Sequence, residues 1–102
     1  MPSLDVHYPS IVMKSLIIEF NKQDIPCVHQ KRYDVFYDDE QVGHFFTDIV
    51  VDNKIILELK SQEAITSNHY PQLFTYLRTT KLHVGYILNF GSKSMQFKRL
   101  VI

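Results

Sequence analysis

At 102 residues, with 45% apolar and 22% charged side chains, the chain is sized for one domain with a real core and is too short for two. No apolar run approaches the roughly 20 residues of a membrane span, no signal peptide stands at the start, and the single Cys27 rules out an internal disulfide, so a reducing cytoplasm is the expected setting. Eleven Lys and Arg balance eleven Asp and Glu, yet every acid lies at or before Glu63, and from Ala64 onward stand Arg78, Lys81, Lys93, Lys98 and Arg99 with no acid. If those five share a surface, a polyanion has somewhere to dock; the plain alternative is solubilising surface charge.

Met1 to Ser10, with prolines at positions 2 and 9, reads as a lead-in. Ile11, Ser15, Ile18 and Lys22 then trace one helical stripe and Val12, Leu16, Glu19 and Phe20 its neighbour, which predicts a helix over 10–22 with Ser10 as N-cap and Pro9 before it. Pro26 forces an extended predecessor and ends that helix. Cys27 is a small buried hydrophobe in this reading. Val28 to Tyr37 is a strand and Asp38 to Gln41 an acidic turn, after which a second strand runs from Val42-Gly43 to Val51 and a third from Ile55 to Lys60.

Ser61 to Ser67 is a polar connection into a second helix over about 68–80, with Pro71 confined to its first turn. Leu73, Phe74 and Leu77 supply its apolar side, while Gln72 and Tyr76, one turn apart, share another face. His83 to Phe90 is an apolar strand interrupted by Gly85, a place for close approach of a backbone or ligand. Gly91 to Ser94 turns the chain into a last, edge strand, Met95 to Ile102. The order helix, three strands, helix, two strands predicts an α/β (α+β) domain spanning 1–102, a mixed sheet flanked by helices. Internal repeats, glycine-rich phosphate loops and zinc-type clusters are absent from the sequence.

Asp48, Glu58 and Lys60 are the anomaly, ionisable groups inside strand-forming runs. A two-residue turn at Asp52-Asn53 would pair Val51 with Lys54 and put Asp48 and Glu58 on opposite faces. A three-residue loop of Asp52, Asn53 and Lys54 instead pairs Val51 with Ile55 and Asp48 with Glu58. Phe45, Thr47, Ile49, Val51, Ile55, Leu57 and Leu59 then form one apolar face, and Phe46, Asp48, Val50, Ile56, Glu58 and Lys60 share the other. Hydrophobic segregation prefers this second register. Two facing carboxylates repel unless one takes a proton or a cation sits between them. A hard divalent ion such as Mg²⁺, held by one or two carboxylates, with a lysine beside it to steady developing charge, answers that demand. A structural Asp/Glu/Lys cluster at a sheet edge is the plain alternative.

Asp48, nine intervening residues and Glu58-Leu59-Lys60 resemble the bipartite core of the PD-(D/E)XK nuclease superfamily, whose helix, three strands, helix, strand order is the one predicted above. Gln30, Ile49-Val50-Val51, His69, Gln72-Leu73, Tyr76-Leu77, Gly85, Asn89-Phe90-Gly91 and Arg99 extend the likeness to its small GxxExxY branch, from about Ser15 to Val101. The resemblance implies a restriction-endonuclease-like αβββαβ core. It also implies Asp48, Glu58 and the Leu59 carbonyl as ligands of Mg²⁺ or Mn²⁺, and Lys60 as the residue positioning or activating water. Gln72 and Tyr76 correspond to a Gln-x-x-x-Tyr element that arranges the site and the DNA. His69 at a helix start is either a phosphate contact or a capping residue. The branch's name-giving glycine, glutamate and tyrosine are missing: Pro9 and Val12 stand where the Glu and Tyr should fall, and Glu19 belongs to a later turn. The resemblance therefore implies an N-terminally shortened member.

Three functions follow. The first is Mg²⁺-dependent hydrolysis of phosphodiesters, in DNA ahead of RNA, with activity weakened or lost without the first-helix glutamate. The second is a nucleic-acid-binding module without hydrolysis. The third is a structural partner protein whose clipped first helix completes its core in a homodimer.

Overall fold

A computed structural model describes residues 8–102. Its elements are α1 (Tyr8–Lys22), β1 (Cys27–Tyr37), β2 (Glu40–Val51), β3 (Ile55–Lys60), α2 (His69–Thr80), β4 (Val84–Asn89) and β5 (Gln96–Val101). The lead-in expected over the first residues lies, up to position 7, outside the described residues. The strands form one sheet in the order β1-β2-β3-β4-β5. All neighbours are antiparallel except β3 and β4, which run parallel because α2 carries the chain between them. Among the described residues no helix is long and apolar enough to cross a membrane.

α1 is described from Tyr8 onward, so Ser10, expected as its N-cap, lies inside the helix. The helix stops one turn before Pro26 takes effect: Asp24 adopts φ 56°, and the Ile25 N–H returns to the Phe20 carbonyl at 2.9 Å. Val12, Met13, Leu16, Ile17 and Phe20 pack against Ile49, Val51, Leu57 and Leu59, whereas Ile11 and Ile18 face solvent. The expected stripe through Val12, Leu16 and Phe20 is thus the packed one.

On the opposite face α2 lays Leu73 and Leu77 over Ile56 and Ile87. Gly85 permits this approach, since a Cβ there would lie 2.7 Å from the Leu73 Cδ1. The close approach expected at Gly85 is therefore that of a helix side chain, and each face of the sheet carries one helix.

The β2–β3 register is that of the three-residue loop: Val51 faces Ile55, Val50 faces Ile56 and Ile49 faces Leu57. Asp52 and Asn53 both take positive φ, 51° each, and the Lys54 N–H closes onto the Val51 carbonyl at 2.9 Å. Asp and Asn tolerate this left-handed backbone better than other side chains. The β1–β2 turn is tighter than expected. Asp38 and Asp39 alone form it at φ 49° and 63°, and β2 already starts at Glu40, opposite Tyr37. Two positive-φ residues match the twist of a two-residue hairpin, and the extra residue is absorbed by an irregularity near Val35 and Phe36.

The single apolar face expected from Phe45 to Leu59 is broken. His29 pairs with Ile49 and Lys31 with Thr47, but the Gln30/Asp48 step between them is unpaired and Gln30 has φ 50°. Beyond it the faces exchange. Phe45, expected with Ile49 on the α1 side, stacks on Tyr76 of α2, while Phe46, expected beside Asp48, borders a depression with Gln30, which itself lies along α1. A local extra residue in each strand keeps the register yet inverts the alternation.

At the far end of β4 the Asn89 side chain is fully buried and fully bonded. Its Oδ1 accepts from the Gln62 and Gly91 N–H groups at 3.0 and 3.1 Å, and its Nδ2 donates to the Gln62 carbonyl at 2.9 Å and to Gln96 Oε1 at 3.3 Å. It clamps the chain leaving β3 to the chain leaving β4, with Gly91 lying against the Gln62 backbone where a Cβ has no room. Asn89→Ala strands two N–H groups and a carbonyl, and should cost about 2–4 kcal/mol. For a domain near this size that is a fall in melting temperature of roughly 10–20 °C, measurable by circular dichroism; Gly91→Ala should be destabilising by about 1–3 kcal/mol through overpacking.

Candidate metal and phosphate site

β2 parts from β3 after the Ile49/Leu57 pair, and Asp48 is the first residue past that point. Its side chain takes over the role of the ladder: Oδ2 accepts the Leu59 N–H at 2.7 Å, and the Asp48 N–H reaches Glu58 Oε1 at 3.4 Å. In a strand the N–H and C=O of one residue point to the same edge. The Leu59 carbonyl therefore faces the Asp48 side as well.

Glu58 lies in β3 between β2 and β4 and is only 6% exposed. Its carboxyl is pushed up to about 8, first by burial and then by the charge of Asp48, with Lys60 pulling the other way. Proximity of Asp48 and Glu58, derived above from register alone, is thus present in the fold.

Lys60 ends β3 on the face of Ile56 and Glu58, four and two residues back along the strand. Its Nζ lies 3.4 Å from Gln72 Oε1 on α2. Among the described residues the ion pairs are Arg32–Asp34 and Lys54–Asp52, so the Lys60 ammonium is not neutralised by direct contact with either carboxylate. Tyr76 stands one turn after Gln72. Burial and the Glu58 charge raise its phenol, and a hydrogen bond with Gln72 opposes the rise. All five side chains predicted for the site, Asp48, Glu58, Lys60, Gln72 and Tyr76, therefore belong to one cluster between the β2–β3 fork and the first half of α2.

His69 caps rather than reaches outward: Nδ1 accepts the Thr66 N–H at 3.2 Å. Burial and the nearby Lys60 charge lower its pKa. Glu19 is exposed on α1 and accepts from the Gln23 amide at 3.1 Å, on the far side of the sheet from the cluster. The basic C-terminal third does not form one surface. Lys98 pairs with Ile87 and so shares the α2 face, whereas Arg99 pairs with Tyr86 on the α1 face.

Two features escaped the sequence. The ring of Phe45 stacks on Tyr76 with centroids 4.1 Å apart and planes at 9°, and also stacks with Tyr33 at 5.6 Å. Aromatic residues at 33 and 45 were visible, but the face exchange at Gln30 that turns them to α2 has no residue signature. The second is the Asn89 clamp: Asn89-Phe90-Gly91 stood out in the resemblance, but nothing in the sequence showed that Asn89 would bond the Gln62 backbone.

No cluster of three His, Cys, Asp or Glu side chains exists among the described residues, so a cation here would rest on two carboxylates. Two acidic side chains and a carbonyl facing the same fork are hard oxygen donors, a set that fits Mg²⁺ or Mn²⁺ completed by water.

No match is found among curated proteins. Among solved structures, the crystal structure of SSO0001 superposes with a TM-score of 0.69 at 12% identity, covering 90% of this chain and 48% of the other. That likeness shows a shared restriction-endonuclease-like α+β core, and the chain spans about half the length of that relative. A family profile described as PD-(D/E)XK nuclease superfamily matches residues 8–100. The chain belongs to the PD-(D/E)XK nuclease superfamily.

Proposed function

We propose that the domain hydrolyses phosphodiester bonds of nucleic acid, DNA ahead of RNA, with Mg²⁺ or Mn²⁺ held by Asp48, Glu58 and the Leu59 carbonyl. The observation that carries this reading is the coupled carboxylate pair with an unneutralised lysine beside it. A divalent cation bound there would supply charge neutralisation of the phosphate and a more acidic water. Lys60, steadied by Gln72, would donate to a phosphate oxygen and stabilise the charge that develops on it. Gln72 and Tyr76 would hold the Lys60 side of the site in place. Gln72-x-x-x-Tyr76 beside the carboxylates also supports placement in the GxxExxY branch.

A second reading, nucleic-acid binding without hydrolysis, is favoured by one fact: the described residues bring only two carboxylates, and Glu19 stands away from them. Incubation of supercoiled plasmid and end-labelled oligonucleotides with Mg²⁺ or Mn²⁺ separates the two. Nicking that falls at least about 100-fold in Asp48→Ala, Glu58→Ala and Lys60→Ala supports hydrolysis. Salt-sensitive binding without cleavage leaves the binding module, and cleavage unchanged in the carboxylate variants removes the hydrolytic site.

The Glu58 carboxyl also makes a pH prediction. Its folded pKa, about 8, exceeds the ordinary 4.5, so between these values the folded chain keeps a proton that the unfolded chain has released. Stability of the metal-free protein should therefore fall as pH rises from about 5 to 8, by an order of 3–5 kcal/mol at most. Glu58→Gln, uncharged throughout, should flatten that slope and melt higher than the wild type at pH 8. A parallel pair of urea titrations at pH 5 and pH 8 measures both effects. Mn²⁺ should bind more tightly as pH rises through the same window, because the proton competes for the ligand.

A further inference from the structure

Asp48 is weakly held by the sheet. β3 pairs with β2 only as far as Ile49, and Gln30, the residue opposite Asp48 on β1, is unpaired with φ 50°. On one side, then, Asp48 is anchored by the Ile49/Leu57 pair; on the other, Thr47 is buried and the next aromatic contact of β2 with α2 is made by Phe45. The Phe45 ring lies flat on Tyr76, at 4.1 Å and 9°, and is backed by Tyr33. Tyr76 is one helical turn from Gln72, and Gln72 meets the Lys60 ammonium. The chain of contacts Asp48 strand, Phe45, Tyr76, Gln72, Lys60 closes a ring around the cluster.

We propose that Phe45 is a positioning residue that fixes Asp48 relative to Glu58 and Lys60 by pinning the free end of β2 to α2. The proposal rests on the reading of those three residues as the reactive set. A planar ring is suited to such pinning, because offset or parallel stacking specifies an orientation as well as a distance, which an aliphatic side chain of similar volume does not. Tyr33, paired with Phe45 across the β1–β2 ladder, stacks on the same ring at 5.6 Å and adds a second contact that holds it. Phe46 supplies a control, since it is 54% exposed, belongs to the other face of the ribbon and has no stacking contact with α2.

The test combines a positional readout with a kinetic one. The Leu59 amide donates to Asp48 Oδ2, so its hydrogen exchange reports how firmly Asp48 is held, with or without metal. In Phe45→Ala this amide should exchange about tenfold faster while amides of the central β4 keep their protection. Single-turnover cleavage should drop roughly 10–100-fold with little change in KM. Phe45→Tyr and Phe45→Trp should restore both readouts, and Phe46→Ala should leave both unchanged. A Leu59 amide unmoved by Phe45→Ala overturns the proposal, as does a loss of protection spread evenly through β4. Absence of cleavage in the wild type, with the Leu59 pattern as expected, would remove the nuclease reading and keep the hold of Phe45 on Asp48.

Discussion

The hydrogen bond from the Leu59 N–H to the Asp48 carboxylate is the constraint on which the site depends. Where β2 leaves β3 an ordinary sheet would end in two unpaired backbone groups facing water. Here a side chain replaces the departing strand as acceptor, and an ionised acceptor makes a stronger bond than a neutral one. The replacement puts a negative charge next to Glu58, which is already stripped of water by its neighbours in β2 and β4. Burial and repulsion then act in the same direction on the Glu58 carboxyl. The geometry that satisfies the backbone is therefore the geometry that creates the electrostatic tension.

That tension is tolerable because the remainder of the sheet does not share in it. Under α1 the sheet is apolar at its centre, with Ile49, Val51, Leu57 and Leu59 packed under Val12, Leu16 and Phe20. The face toward α2 is divided. Ile56, Ile87, Leu73 and Leu77 form a compact core at one end, and the carboxylates and Lys60 occupy the other. Gly85 brings α2 close at the apolar end, while Asn89 ties the chains that leave β3 and β4 beyond Lys60. Both anchors flank the charged cluster and neither is part of it.

Much of this was legible in the sequence, and the limits have physical reasons. Alternation in two strands fixed the β2–β3 register, because only one register segregates Ile49, Val51, Leu57 and Leu59 from Asp48 and Glu58, and the fold has that register. The order of elements and the edge position of β5 follow from turn residues and periodicity. The same alternation misled beyond Asp48. It assumes a period of two without interruption, and the unpaired Gln30/Asp48 step breaks it, so Phe45 and Phe46 exchange faces. Gln30 is an ordinary strand residue by composition, and nothing in its identity announces a positive φ. Both helices end where expected, at Lys22 and Thr80, although Asp24 at positive φ rather than Pro26 follows the first; the expected N-cap Ser10 instead lies inside α1.

The cost of Glu58 bears on what the domain is shaped to do. A side chain needed only for packing at that position would be served by Gln or Met, which fill similar space without a charge to desolvate. A structural ion pair with Lys60 would need contact, yet Lys60 turns to Gln72 instead. What remains is a carboxyl group held beside the Asp48 carboxylate, with the Lys60 ammonium close by and hydrogen-bonded to Gln72 of α2. Such an arrangement lowers the stability of the metal-free fold at neutral pH and regains it when a ligand binds only the folded chain. On the proposed reading the charged residues at the forked end serve binding, while the apolar clusters under α1 and α2 bear the stability.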